Sequence, residues 1–351
     1  MSDSKTVPTD RVRVFDRSGV PLAEFRASVS RSWVIGGEAR AQFIYPTRKT
    51  DVVNERVIQY GNWMLVQNSQ LLAWVGVIDT PREWSTRNVI VSAYTPERVF
   101  SQRIGPLEEV LTGSAGTIFE GLVSRLNLAE QTIIRAGNIW RGGTQRQETL
   151  NPKKLSEYLK SLWQRSGEDY AWVPGVGTEG RLIVYGNWVP FLGAETGVIL
   201  QEGAGGGNVE AVGRVMVEDG PIVNSTLAFG EGETWKSKPN VTVTKPLSIG
   251  QFGLREDAQE YSGVTSTTTL NDNGSQHLFE LRVPARTFAI NALNVGDTFR
   301  YCRLGNVINL RLQNIGFRGG KLGYNTRVRV IGMGYNPEMK NKIQLVTREI
   351  G

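Results

Sequence analysis

Residues 62–91 read NWMLVQNSQLLAWVGVIDTPREWSTRNVIV, and this stretch gives the clearest indication of the fold. Two apolar runs, 62–66 and 71–75, flank a polar tip at 67–70, which is typical of a β-hairpin. A third run, 88–92, follows a polar turn. With similar short runs back to residue 11, the first hundred residues predict strands separated by turns, hence a small barrel or sandwich.

A hairpin of similar shape lies near the C-terminus. In the first β region, residues 74–78 and 89–91 are joined by a charged turn. Near the end of the chain, residues 328–332 and 343–346 are joined by a turn at Asn336-Pro337. The likeness is consistent with a barrel fold that occurs twice, and equally with chance.

Strict alternation of apolar and polar residues predicts half-buried strands in the last part of the chain. The alternating segments are 279–283, 308–313 and 327–330. Residues 241–351 are therefore expected to form a second all-β unit. In this interpretation Phe279, Leu281 and Val283 face one side of a strand, and Glu280 and Arg282 face the other.

Between the two β regions the apolar period changes from two to that of a helix. The first helical set is Ile118, Phe119, Leu122, Val123 and Leu126, and the second is Leu155, Tyr158, Leu159, Leu162 and Trp163. Asn151-Pro152 is a suitable start for the second helix, and Gly167 a suitable stop.

The pattern therefore predicts a mainly β fold with a helical segment (α+β), in which two small β-barrel domains flank a mixed helical and β region. The expected domains are an N-terminal barrel (1–105), a helical segment (106–170), a β-rich insertion or connecting domain (171–240) and a C-terminal barrel (241–351).

Composition excludes several classes of function. The chain has 351 residues with 40 Lys and Arg against 34 Asp and Glu, a net charge of +6, which does not by itself indicate a nucleic-acid binder. One His and one Cys leave no His/Cys metal cluster and no disulfide within a chain. No apolar stretch reaches the roughly 20 residues of a membrane span, and the N-terminus lacks the pattern of a secretory signal.

Three sequence features are better explained by structural roles than by catalysis or ligand binding. Gly175–Gly180 matches G-x-G-x-x-G, but a strand-like segment follows where a dinucleotide site needs a helix, so a hairpin loop is predicted. His277 follows the turn-like sequence Asp272–Ser275 and is interpreted as a turn-edge residue. Cys302 lies among cations that could lower its pKa, although on an alternating strand it is expected to pack.

One stretch has a strong charge bias. Residues 281–329 contain nine cations and a single acid, Asp297. The cations are Arg282, Arg286, Arg300, Arg303, Arg311, Arg318, Lys321, Arg327 and Arg329. Arginine favours bidentate anionic partners such as phosphate or carboxylate. The surface is therefore expected either to face DNA or an acidic partner, or to be a solvated strand face. The residues selected for a partner-facing or DNA-facing surface are Arg300, Arg303, Arg311, Arg327 and Arg329.

The order β unit, helical segment, β unit resembles that of the tail hub proteins of tailed bacteriophages, with a long-tailed siphophage-like pattern. The local features are Gly61-Asn62-Trp63 with the Trp74–Ile78 hairpin, Val295–Phe299, and the closing pair 329–332 and 343–346. These motifs are short, and together they span most of the chain.

The resemblance implies a structural protein of the baseplate or tail tip. Such hubs form homotrimers in which each subunit gives two similar barrels, so that three chains make a pseudo-sixfold ring. The ring terminates the tail tube, holds the end of the tape measure and lets double-stranded DNA pass during ejection. Expected partners are the distal tail or tail tube protein, the tape measure protein and tail tip or fibre proteins. The expected location is the virion tail tip, after assembly in the host cytoplasm.

The resemblance implies no enzyme activity, cofactor or metal, and the stop at Gly351 leads us to expect a bare hub without a lysin region. Two alternatives stay open at this point. One is a peptidoglycan- or glycan-cleaving tail enzyme that uses two carboxylates, although none of the 34 acids marks out a pair. The other is a carbohydrate-binding tip module that uses exposed tryptophans.

Overall fold

The computed structural model describes residues 9–46, 55–85, 88–203, 207–210, 216–219, 221–234, 236–261, 263–283, 285–318, 321–339 and 341–350. Within these ranges the chain forms 22 strands and five α-helices. The helices are α1 (Glu97–Ser101), α2 (Ala115–Ala129), α3 (Leu155–Ser166), α4 (Pro246–Phe252) and α5 (Thr267–Leu281).

The strands alternate with the helices along the chain. They are β1 (Asp10–Phe15), β2 (Pro21–Ala27), β3 (Val29–Val34), β4 (Arg40–Pro46), β5 (Trp63–Gln67), β6 (Trp74–Trp84), β7 (Asn88–Tyr94), β8 (Glu109–Gly113), β9 (Ile134–Ile139), β10 (Arg146–Leu150), β11 (Asp169–Val176), β12 (Leu182–Val189), β13 (Glu195–Gln201), β14 (Val209–Glu210), β15 (Met216–Asp219), β16 (Ser225–Phe229), β17 (Asn240–Thr244), β18 (Glu256–Glu260), β19 (Ala285–Leu293), β20 (Val307–Arg318), β21 (Lys321–Tyr335) and β22 (Lys342–Glu349).

Fourteen of these strands form one large sheet. Its main path runs β14-β19-β22-β21-β3-β4-β7-β6-β5-β1-β2, and β13, β15 and β20 attach beside it. The predicted hairpins β5–β6, β6–β7 and β21–β22 are all present. The mainly β, α+β class predicted from the sequence is therefore confirmed.

The two β regions are joined edge to edge through β3 and β21, with Val34 opposite Gly332 and Arg31 opposite Tyr335. A single apolar core crosses this joint, from Val12 in β1 to Val330 in β21. No closed barrel is found in the ranges that the structure describes. The alternation of a strand shows which of its faces is buried, but it does not identify the neighbouring strand.

A buried ion pair lies beside this joint. Arg31 donates to both carboxylate oxygens of Asp10, at 2.6 and 2.8 Å, and the two side chains are 0 and 2% exposed. The Asp10 carboxylate also accepts from Asn68, while the Arg31 guanidinium lies 5.1 Å from the ring centroid of Tyr335. These contacts link β1, β3 and β21, although no backbone pairing joins β1 to β3 in the described part of the chain.

A second layer, made of α1, α2, α3, β9, β11 and β12, packs against the other face of β1, β5 and β6. These strands are buried on both faces, which explains why residues 63–66 and 74–78 are continuous apolar runs. Helix α2 follows the predicted pattern, and Ser114 caps it by accepting from the Thr117 N–H. Helix α3 ends at Gly167 as predicted, in the left-handed region with φ 72°.

Helix α3 begins later than the sequence suggests, at Leu155 rather than at Pro152. Residues 153–155 are held by backbone bonds to the segment after α1: Gly105 donates to Lys153 and Leu155 donates to Arg103. Because residues 153–155 are hydrogen-bonded to this distant segment, the helix begins after Pro152 and not at it.

The region after residue 221 differs most from expectation. Strands β16, β17 and β18 form a separate sheet in the order β17-β16-β18, and α5 packs on it. We call these strands with α4 and α5 the small module. The predicted strand at 279–283 is wrong, because Phe279 and Leu281 end α5 instead. Residues 241–351 are thus not all β, and the four predicted domain boundaries stay a prediction.

The turn-like sequence Asp272–Ser275 lies inside α5. Gly274 is the reason that this sequence packs as a helix against the sheet. A Cβ built on Gly274 would lie 3.0 Å from a Val243 methyl carbon, so the glycine lets the helix approach the sheet closely. Leu270 and Leu278 are fully buried and flank it at helical spacing. The packing surface therefore outweighs the turn preference of the local sequence.

Candidate functional site

The predicted arginine surface coincides only partly with a face of the large sheet. In β20 and β21 the alternation places Ile308, Leu310 and Val328 in the core, and Arg311 and Arg327 outward. Arg311 lies opposite Asn325, and Arg327 opposite Asn309, so these polar side chains share one side of the sheet. We call this outward side of β20 and β21 the strand face.

Two arginines of the strand face are engaged within the chain. Arg327 forms an ion pair with Glu195 of β13. Arg329 forms an ion pair with Asp169 of β11, and its guanidinium lies 4.0 Å from the ring centroid of Phe191. Arg329 therefore fastens β21 to the second layer, which is a structural role. Sequence reasoning missed both carboxylates, because they lie 132 and 160 residues from their partners.

Arg300 and Arg303 lie off the strand face, in the connection between β19 and β20. Both are exposed, as is Tyr301 between them at 43%. No side-chain partner of Arg300, Arg303 or Arg311 is found in the described ranges. The structure thus divides the five selected residues into two with ion pairs to distant acids and three whose charge faces solvent.

Of the remaining cations in this stretch, Arg286 pairs with Glu349 and Arg282 lies 4.4 Å from the ring centroid of Phe279. The side chains of Arg318 and Lys321 lie outside the described part of the chain. The charge bias therefore belongs to several separate surfaces, and only a portion of it is continuous.

Cys302 and the glycine motif have the structural roles predicted for them. Cys302 is fully buried in the core of the large sheet, although in a loop rather than a strand, and burial raises its pKa to about 12. Such a thiol is unreactive at neutral pH. Gly177 and Gly180 form the turn between β11 and β12, where Gly177 donates to Arg181, so this is the predicted hairpin loop.

A cleft of about 990 Å³ separates α3 and β10 from the small module. One wall is the polar side of α3, with Glu157, Ser161 and Arg165. The other wall comes from the end of β18 and from α5, and includes Tyr261 and His277. This is a polar inter-module cleft, which no sequence motif indicated.

His277 lies on α5 inside this cleft, so its interpretation as a turn-edge residue is wrong. Its Nε2 is 3.0 Å from an Asp257 carboxylate oxygen on β18. Partial burial alone would raise the pKa of Asp257, but hydrogen bonds from Gln259, the Ala258 N–H and His277 outweigh it and lower the pKa. The pair connects the helix to the edge strand.

Three of the five cleft carboxylates are engaged in structural contacts. Glu148 pairs with Arg165, Glu260 with Lys238, and Glu231 accepts from the Gly263 N–H at 2.8 Å. A general acid needs a raised pKa. In the described part of the chain the carboxyl groups with a raised pKa are Glu38, Glu97 and Glu168, and burial is the main cause in each case. None of these three lines the cleft.

Two wider searches cover the same described residues. No group of three or more His, Cys, Asp or Glu side chains there is placed to hold a metal ion. Among the helices described, none combines the length and the apolar character of a bilayer span. Neither search marks a further chemical site.

The fold of the chain is similar to the folds of phage tail proteins. Prophage tail protein gp18 from Listeria monocytogenes gives a TM-score of 0.59 at 13% identity, over 96% of this chain and 94% of that one. The 43 kDa tail protein of prophage MuSo2 from Shewanella oneidensis gives 0.59 at 10% identity, over 96% and 98%. A type VI secretion component of E. coli, described as similar to bacteriophage T4 tail proteins gp27 and gp5, gives 0.51 at 8% identity, over 100% and 76%.

At these identities the likeness concerns the fold alone. No protein-family model matches the chain, and no curated protein sequence matches it. The structural neighbours are thus phage tail proteins and a related secretion component.

Proposed function

We propose that the chain is a non-catalytic tail hub protein, which forms a homotrimeric, pseudo-sixfold ring at the distal end of a phage tail tube. The observation that carries this proposal is the joint between β3 and β21. It places two β regions side by side in one sheet with one core, so that each chain would contribute two adjacent wall segments. Three chains would then supply six.

Two adjacent wall segments suit a ring subunit better than an enzyme. The large sheet offers faces and edges that neighbouring subunits can contact. The N-terminal segment has a one-sided edge strand, β2, which pairs only with β1 in the described part of the chain. Strand β13 is not open in this way, because Asn208 is hydrogen-bonded to the outward backbone groups of Ile199 and Gln201. A strand that is unpaired on one side is available to a neighbouring subunit, and closure of a ring also needs a second, different contact surface on each subunit.

In this proposal the exposed turn with Arg300, Tyr301 and Arg303, together with Arg311, faces a partner. Arginine and tyrosine are enriched at the centres of protein interfaces. The partner is an acidic surface of a tail tube, tape measure or tip protein, or the phosphates of DNA that passes during ejection. The protein is then located in the virion, at the tail tip.

Light scattering coupled to size-exclusion chromatography tests the ring. A particle of three times 38.9 kDa is expected, and negative-stain images should show a threefold ring with a central hole. A chain that stays monomeric both alone and with its tail tube partner would overturn the trimer. A turbidity assay on cell walls should give a flat trace, and clearing of the walls would overturn the non-catalytic role.

A further inference from the structure

We propose that the cleft between α3 and the small module binds a basic, extended polypeptide segment of another protein. The cleft is separate from the strand face and from the joint between β3 and β21. The proposal therefore does not depend on the chain forming a trimer.

The charge of the lining is opposite to that of the chain. Five carboxylates and two permanently cationic side chains line the cleft, whereas the whole chain has a net charge of +6. The carboxylates are Glu108, Glu148, Glu157, Glu231 and Glu260, and the cations are Lys153 and Arg165. Glu108 and Glu157 are exposed, and no ion pair involves them within the described ranges. Since Glu148 and Glu260 are already paired with Arg165 and Lys238, the missing counter-charges are those of Glu108 and Glu157, and a cationic ligand would supply them.

Asn273 is an independent indication that the cleft holds a ligand. It is 2% exposed and lines the cleft. Its Oδ1 accepts from Arg146, but its Nδ2 has no acceptor among the residues that the structure describes. A buried amide donor without an acceptor is unfavourable. Because this Nδ2 is shielded from solvent, a rotation of the Asn273 side chain on binding would bring it to the carbonyl oxygen of a bound peptide, which would provide the acceptor.

The backbone of β18 offers a second peptide-like contact. In the described part of the chain this strand pairs on one side only, with β16, and its last residues border the cleft. Tyr261 donates its N–H inward to Phe229, so alternation turns the peptide group of Glu260 outward. Ala258 is already satisfied by the Asp257 carboxylate, which confines any pairing to the end of the strand. Extended peptides commonly bind at such edges.

The aromatic residues of the cleft distinguish a peptide from a glycan. Tyr158 and Tyr261 are each 7% exposed, so neither presents an open ring face for a sugar. The Tyr158 hydroxyl is further occupied by the backbone of Asn151. The volume of about 990 Å³ lies at the upper end of the range for ligand pockets, which suits several peptide residues.

The test uses the full chain and a fluorescently labelled peptide of alternating Lys and Ser, with a Glu/Ser peptide of equal length as its counterpart. Fluorescence anisotropy should show saturable binding of the basic peptide only. The double variant Glu108→Gln/Glu157→Gln should weaken this binding about tenfold. The matched control Glu83→Gln/Glu338→Gln removes the same charge from exposed positions outside the cleft and should leave the affinity unchanged.

A second readout locates the peptide. Because Cys302 is buried, a Gln164→Cys variant carries its only accessible thiol on the cleft wall, and the spectrum of a spin label there should broaden when a spin-labelled basic peptide binds. Equal weakening in both double variants, or no broadening at residue 164, would overturn the proposal. Binding of a neutral oligosaccharide in place of the basic peptide would also overturn it.

Discussion

The large sheet and the small module both bury apolar side chains, but the core of the large sheet is much larger than that of the small module. The sheet has one core that runs through both of its halves. Among the described residues, the buried apolar side chains of the small module form two clusters, one of Ala228, Tyr261, Val264 and Leu270 and the other of Val223, Val243 and Leu278, and the partly buried Val241 packs against both. It also leaves large apolar side chains exposed, with Leu247 at 94% and Phe279 at 55%.

The difference shows where stability comes from. A small apolar core contributes little net free energy, so a unit of this size depends on its attachments. The small module is attached through the loop before β10, where Thr144 donates to Asp272 at 2.8 Å, and through the first residue of β10, Arg146, which donates to Asn273. We therefore expect the module to open first, while the large sheet persists.

The largest expected effect is at the joint of the large sheet. Asp10→Ala leaves the Arg31 guanidinium buried without its partner, which should lower the free energy of unfolding by about 3–5 kcal/mol. Chemical denaturation followed by tryptophan fluorescence measures this change. The control is Glu24→Ala, which breaks an exposed pair with Arg11 on the neighbouring strand and should change nothing measurable. Equal effects of the two variants would contradict the role given to the buried pair.

A smaller effect is expected in the small module. Gly274→Leu forces a side chain between α5 and the sheet, which should destabilise the module by about 1–3 kcal/mol. Hydrogen exchange should then show faster exchange in residues 225–281 and unchanged protection in the large sheet. The matched control is Gly250→Ala in α4, where a Cβ meets open space and better helix propensity should stabilise slightly. Loss of protection in both regions at once would show that they unfold as one unit.

The dependence of stability on pH should differ in sign between the second layer, which packs on the large sheet, and the small module. Burial raises the pKa of Glu97, which lies in the second layer behind the large sheet. The folded chain holds this proton to higher pH than the unfolded chain does, so the stability is complete below the unfolded pKa and is lost as pH rises. Glu97→Gln should therefore match the parent near about pH 4 and be more stable at about pH 8. Thermal unfolding across this range measures it, and a parallel loss in both proteins would refute it.

The smallest effect is expected at Asp257 in the small module. Its lowered pKa contributes stability that is present above the unfolded pKa and is lost as pH falls through the folded pKa. Asp257→Asn should cost under about 1 kcal/mol at neutral pH, since the pair with His277 is partly exposed, and should abolish the loss below about pH 4. An NMR titration of the carboxyl group in the parent chain checks the direction of the shift.

Local sequence patterns predicted the elements whose partners are close in the chain. The hairpins β5–β6, β6–β7 and β21–β22 and the helix α2 follow directly from the apolar period. The patterns misjudged α5, because Asn, Asp, Gly and Ser favour turns locally whereas Gly274 favours contact with the sheet. Leu270, Leu278 and Leu281 carry a helical period that could have revealed it.

The candidate sites show the same division. Alternation predicted that Arg311 and Arg327 each point out of the core on their own strands, and the register of β20 and β21 then places them on the same side of the sheet. The carboxylates that engage Arg327 and Arg329 come from β13 and β11, and no local signal marks them. The cleft likewise joins α3 to α5 across more than a hundred residues of chain, so no motif indicates it.

Local sequence patterns were sufficient to predict the class of the fold, the main hairpins and the burial of Cys302. Each of these depends on interactions between residues close in the chain or on the hydrophobicity of a single side chain. Two features emerged only from the folded chain: the two β regions form a single sheet, and a polar cleft lies between α3 and the small module. Those features depend on which segments, distant in the chain, pack against each other and bury their apolar surfaces. The residue pattern of one segment does not identify the segment it packs against.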